Sequence, residues 1–213
     1  MSHSYDEQLD RLTGVLAAMS REAAGAIRGA SAALLNGDRA AAETVVRGDA
    51  VLNGMRDDVH AAIPQLLVRL QPVAGDLRLV LCAMRIAGDL ERMGDLAVHI
   101  AEVALMRHPV TVVPEPAVDV MTAMADAAAR IADKTSVVLS TRDQLDAMQL
   151  GLDDDEVDAA QARLLAMLVS AWPYGVESAI DLALVGRYYE RYADHAVNVA
   201  RQVVYLVTGT IRL

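Results

Sequence analysis

Glu91, Asp95, His99 and Glu102 are spaced 4, 4 and 3 residues apart. At about 100° per residue, a helix gathers them within roughly 80° of arc, on one stripe. Carboxylates at i and i+4 stand about 5–6 Å apart at Cβ. That separation suits two oxygens converging on one hard cation, or bridging two cations about 3.5–4 Å apart. Glu190, Asp194, Asn198 and Arg201 repeat the stripe later in the chain. Two more i,i+4 pairs precede them: Asp49 with Asn53 in GDAVLN, and Asp154 with Asp158 in LDDDEVDAA. Like charges at this spacing repel by a few tenths of a kcal/mol, roughly, and a cation would remove that cost.

If consecutive helices run antiparallel, each pair faces the pair on its neighbour. One site is then Asp49, Asn53, Glu91 and Asp95; the other is Asp154, Asp158, Glu190 and Asp194. All-oxygen sets suit Mg, Mn, Ca or iron better than a soft metal. The first site, with an amide replacing a carboxylate, should bind more weakly. A bland alternative is a solvated helix face opposite an apolar one (Met93, Leu96, Ile100). Two features weigh against it. The stripe continues backwards into Leu77, Val80, Leu81, Met84 and Gly88, which reads as a core seam, and the acid pair recurs. For the Asp153–Asp158 cluster the alternative is an acidic helix N-terminus after Gly151, favoured by the helix dipole.

These residues require helices, and the punctuation supplies them. Asn36-Gly37-Asp38 reads as a C-cap glycine followed by an N-cap aspartate. Gln71-Pro72 is a stop, and HPVTVVPEP (108–116) contains three prolines and cannot be a continuous helix. Helices are expected near 5–35, 38–69 and 74–107, with Gly48 and Gly54 weakening the second. After the linker they are expected at about 117–140, then to about Ser170 with a disturbance at Gly151, and at 174–208. Ser140–Asp143 and Trp172-Pro173 form the breaks. Shifted by 99 residues, ERMGDLAVHIAE (91–102) lies on ERYADHAVNVAR (190–201), and six of the twelve positions agree. The expectation is an all-α chain of six long helices in two tandem three-helix bundles: 1–107, a Pro-rich linker at 108–116, and 117–213.

Composition agrees. Hydrophobic residues make up 54% of the 213, there is no Phe, and aromatics reach only 3%, so Ala, Leu, Val and Met must fill the core. The net charge of -10 argues against a nucleic-acid partner, which needs excess Lys and Arg, and against broad adhesion to anionic lipid. The one cysteine, Cys82, excludes an internal disulfide and reads as a small buried hydrophobe. MSHSYDEQLDR does not read as a signal peptide, and no uncharged apolar run approaches the ~20 residues that span a bilayer. The expected compartment is the cytoplasm.

ERMGDLAVHIAE and ERYADHAVNVAR, with QPVAGDLR before the first and DDDEVD before the second, resemble the PhoU family of phosphate-uptake regulators over nearly the whole chain. The GRYYERYADHAVNVAR version resembles the actinobacterial branch. The resemblance implies a cytoplasmic all-α protein, often a homodimer, whose paired E(D)xxxD motifs bind multinuclear clusters in some members. The motif positions carried over are Glu91, Asp95, Glu190, Asp194, Asp154, Asp158 and Asp49, with divalent or trivalent Mg, Mn, Fe or Zn as the implied ions. Asn53 departs from the acidic pattern. The resemblance also implies repression of the phosphate regulon when phosphate is plentiful, exerted through a membrane phosphate ABC transporter and a sensor histidine kinase. No small-molecule substrate is implied.

Other residues read as structural or open. Arg92 and Arg191 follow the motif glutamates and suit a salt bridge to a neighbouring helix, or an anion contact. Asp89 and its counterpart Tyr188 point to the far side of the stripe. His195 lies about 100° off it and reads as packing, whereas His99 is the better histidine ligand candidate. Arg187-Tyr188-Tyr189 reads as packing plus a solvated guanidinium, though exposed tyrosines beside an arginine also suit a protein interface. Nothing resembles a nucleophile–base arrangement, a P-loop or a kinase signature, so the chain reads as a non-enzyme. Two further classes stay open: a metal-free helical adaptor, and a ferritin-like di-metal oxidase. The latter needs Glu-x-x-His motifs, to which Asp57-x-x-His60 is the nearest approach.

Overall fold

A computed structural model describes residues 2–210. It contains α1 (Ser2–Asn36), α2 (Arg39–Leu70), α3 (Ala74–Arg107), α4 (Val118–Thr141), α5 (Gln144–Val169) and α6 (Gly175–Thr208), with a short 3-10 turn at Glu115–Ala117 and no strand among the described residues. Met1 and residues 211–213 lie outside that range.

Local chemistry sets the boundaries. Gly37 takes φ 67°, and the Asp38 side chain accepts from the Ala41 amide 3.0 Å away, so one helix ends and the next begins within two residues. Asp143 caps α5 by accepting from the amides of Leu145 and Asp146. Gly48 and Gly54 do not interrupt α2, and Gly151 does not disturb α5; propensity costs of about 1 kcal/mol per glycine yield to the packing of a long apolar face.

α1, α2 and α3 pack on one another, as do α4, α5 and α6. The two triplets meet along two seams. α1 bonds α4 through Ser20–Ser136 (2.7 Å) and the Arg28–Asp133 ion pair. α3 lies antiparallel to α6: Arg85 reaches Gln202, Asp89 meets His195, His99 stacks beside Tyr188, and Arg107 grips Asp181. The buried side chains therefore form one continuous cluster across both triplets, including Cys82, 1% exposed.

With no Phe available, Tyr189 and Tyr192 are the largest fully buried side chains. Each hydroxyl is satisfied, Tyr189 sharing a 2.7 Å hydrogen bond with Ser31 and Tyr192 donating to the Ala23 carbonyl at 3.1 Å. Close approach elsewhere depends on glycine. A Cβ at Gly94 would collide with Leu52 of α2, beside the first acidic stripe, and one at Gly186 would collide with Leu164 of α5.

The apolar seam expected from Leu77 to Gly88 is only partly core. Val80 is fully buried, but Leu77, Leu81 and Met84 are 37%, 40% and 41% exposed. Helical period places these residues on a face; it does not say that another helix covers it. That argument for the carboxylates falls away.

Candidate functional site

The antiparallel α2/α3 and α5/α6 pairs bring the acid motifs of each triplet onto facing helices. In the second triplet, Asp154 and Asp158 of α5 and Glu190 and Asp194 of α6 act on one another electrostatically. Burial pushes the Asp154 carboxyl up to about 6, and the charges of Asp158, Asp194, Asp155 and Glu190 push the same way. Burial also raises Glu190, against the opposing effect of Arg187, with which it pairs. Asp154 Oδ1 is buried with no hydrogen-bond partner. Among the described residues, Asp158 and Asp194 form neither a hydrogen bond nor an ion pair.

The dipole explanation for the Asp153–Asp158 cluster does not apply. The α5 N-cap is Asp143, so Asp154 stands about three turns inside the helix, and the dipole's influence fades within the first turn. Asp153 has its own counter-ion, Lys134 of α4, at 2.5 Å.

The first triplet is arranged differently. Asn53 Nδ2 donates to Asp49 Oδ2 at 2.7 Å, Arg56 Nη1 donates to Glu91 Oε1 at 2.5 Å, and Arg92 pairs with Asp95 at 2.7 Å. Glu91 is only 6% exposed, so the Arg56 guanidinium neutralises a nearly buried charge. Burial still raises Asp49, with Asp95 adding to the effect. Arg56 was not foreseen from the sequence. It lies seven residues after Asp49, two turns along the same face, and that spacing was the available signal. Arg92 stays on its own helix rather than crossing to a neighbour.

The histidines divide. His195 packs between α6 and α3 with Nδ1 2.9 Å from Asp89 Oδ1. His99 lies 3.4 Å from Glu102 with its ring against Tyr188. Among the described residues, no three His, Cys, Asp or Glu side chains are gathered as they would be around a metal ion. The second quartet has the donor chemistry of such a site without its convergence: four carboxylates, one with an orphaned buried oxygen, and mutual repulsion that a hard cation would relieve.

A pH consequence follows. Above about pH 6, folding holds Asp154 ionised in a place that disfavours the charge. Between the unfolded value near 4 and the folded value near 6, the folded state binds more protons, so stability rises as pH falls through that window. In chelator-treated protein, Asp154→Asn should add about 1 kcal/mol at pH 7, after discounting for solvent screening, and nothing near about pH 3, below the unfolded value. Denaturant titrations at the two pH values test this; a gain equal at both, or none at pH 7, would contradict it.

The PhoU domain family matches residues 16–104 and 121–203, one copy in each triplet. The chain is 40% identical over 208 residues to the phosphate-specific transport system accessory protein PhoU homolog 1 of Mycobacterium tuberculosis, covering 97% of this chain and 94% of that protein. It is 35% identical over 210 residues to homolog 2 from the same organism, covering 98% and 99%. The crystal structure of PhoU from Pseudomonas aeruginosa superposes with a TM-score of 0.87 at 25% identity, covering 97% of this chain and all of that one.

Proposed function

This chain belongs to the PhoU family, and from that membership we propose that it is a non-enzymatic regulator of phosphate uptake that represses the phosphate regulon when phosphate is plentiful. It does so by linking a membrane phosphate ABC transporter to a sensor histidine kinase. The observation that carries the reading is likeness along the whole length, in both repeats, to phosphate transport accessory proteins. The chain works at the inner face of the membrane through protein contacts, as a homodimer. No helix among the described residues is long and apolar enough to cross a bilayer.

Metal enters the reading through Asp154, Asp158, Glu190 and Asp194. A bound hard cation would supply charge neutralisation between α5 and α6. The chain's own residues set the rest: Lys134 occupies Asp153, Arg187 draws on Glu190, and Asp154 keeps an oxygen free. Asp49, Glu91 and Asp95 make the weaker set, because Asn53, Arg56 and Arg92 already engage them. A metal-free adaptor is the second reading, favoured by the absence, among the described residues, of three converged ligands. Elemental analysis of protein purified without chelator separates the two.

Deleting the gene should derepress phosphate-uptake genes in phosphate-rich medium. Unchanged transcripts would remove the regulatory reading whatever the metal content.

A further inference from the structure

A shallow, open cleft of about 630 Å³ runs across α3 from α2 to α6, over the seam between the two triplets. Arg56 and His60 come from α2, Arg85 and Arg92 from α3, and Asn198 and Gln202 from α6. Three guanidinia around one opening are unexpected in a chain of net charge -10. Two carboxylates also line it, and both are engaged. Glu91 accepts from Arg56 at 2.5 Å and lies 3.5 Å from the Arg92 Nε, while Asp89 faces His195 at 2.9 Å.

Arg85 is the group left over. It is exposed, forms no ion pair among the described residues, and reaches only the Gln202 Oε1 at a long 3.5 Å. That contact turns the Gln202 amide nitrogen away from Arg85 and leaves its N–H donors free. Asn198 repeats the arrangement: its Oδ1 accepts from Arg201 at 3.2 Å, leaving its own amide donors free. The cleft therefore offers a planar guanidinium, two amide donors and an imidazole, a set that matches the oxygens of a tetrahedral oxyanion.

The duplication supplies an internal comparison. Matching Asp49 and Asn53 to Asp154 and Asp158 sets a shift of 105 along the second helices, while the third helices keep 99; the positions equivalent to Arg56, His60 and Arg85 are then Gln161, Leu165 and Leu184. Among the described residues, one copy of the fold thus gives its carboxylate quartet a single guanidinium, Arg187 on Glu190, and the other places several beside its acid set.

We propose that this cleft binds a small oxyanion: inorganic phosphate, or the terminal phosphate of a small phosphorylated metabolite. Arg85 is its principal ligand, with Gln202, Asn198 and His60 around it. The site rests on its own geometry; the choice of phosphate over other oxyanions rests on the regulatory reading above.

Isothermal titration of chelator-treated full-length protein tests the proposal, with inorganic phosphate, ATP and sulfate as separate titrants. Chelation removes any cation that would recruit phosphate to the acidic quartet. Binding of phosphate or ATP should weaken about tenfold or more in Arg85→Ala, the range expected for losing a charge-assisted hydrogen-bond donor. It should fall by less in Arg85→Lys, which keeps the charge and loses the fork. Arg191→Ala, on the second triplet, should bind as the unaltered protein does. Phosphate binding favours the free ion as occupant, and ATP binding without phosphate binding favours a metabolite. Absence of binding by either at millimolar concentrations, or binding indifferent to Arg85→Ala, overturns the proposal. So does sulfate binding as tightly as both. Derepression on gene deletion is scored independently, so a failed cleft leaves the regulatory reading standing and the reverse also holds.

Discussion

Purified without chelator, protein carrying Glu190→Ala with Asp194→Ala should lose nearly all its bound metal, whereas Glu91→Ala with Asp95→Ala should lose little. The contrast comes from what already neutralises each acid set. Asp49 is held by Asn53, Glu91 by Arg56 and Asp95 by Arg92. A cation arriving there would have to displace a guanidinium from a nearly buried glutamate. Around Asp154 the counter-charges are fewer: Arg187 on Glu190, and Lys134 committed to Asp153. Removing two of four ligands should weaken affinity by at least about a hundredfold, because even outer-shell partners are worth 10–100-fold. The same double variant removes repulsion from the metal-free state, so its chelated form should unfold no earlier than chelated wild type. That control separates lost ligation from lost structure. Elemental analysis reads the outcome directly. Equal losses from the two variants, or no metal in the parent protein, would defeat the ranking.

The same comparison shows what a sequence can reveal. Helix ends were legible because they depend on a few neighbouring residues: Gly37 with Asp38, Pro72, and Asp143 with its two accepted amides. The duplication was legible because it is a matter of counting. The acid stripes were legible as faces, since side-chain direction follows the helical period. What stands opposite a face depends on how two helices cross and in what register, and no local window carries that. Hence the sequence does not show Arg56 on Glu91, Lys134 on Asp153 or Asp89 on His195, and Arg92, whose position suits a neighbouring helix or an anion, pairs within its own helix. The Leu77, Leu81 and Met84 seam failed for the same reason: apolar period marks a face that could be covered, and these three stand 37–41% exposed.

Arg107→Ala should destabilise the fold, because it breaks from one side an ion pair whose Asp181 carboxylate is nearly buried. Arg107 closes α3 and clamps α6 across the seam between the two repeats. Its Nε lies 2.6 Å from Asp181 Oδ2, its Nη2 3.1 Å from Oδ1, and its Nη1 2.5 Å from Glu177. Asp181 is 8% exposed, so truncating the arginine strands a carboxylate away from water. Asp181→Ala should cost less, because the guanidinium retains Glu177 and solvent. The loss reads out as a lowered unfolding midpoint, at roughly 2–4 °C per kcal/mol in a chain of this length. The duplication indicates how to repair it. Shifted by 99 residues, Asp181 falls on Cys82 and Arg107 on Leu206, both part of the apolar packing. The other end of the seam therefore does without an ion pair. Arg107→Leu combined with Asp181→Cys should recover most of the loss, since an apolar pair of suitable volume often matches a buried ion pair. A double-mutant cycle by chemical denaturation measures the coupling. If Arg107→Ala leaves the unfolding midpoint unchanged, the pair is screened like a surface contact and the seam is held by packing alone.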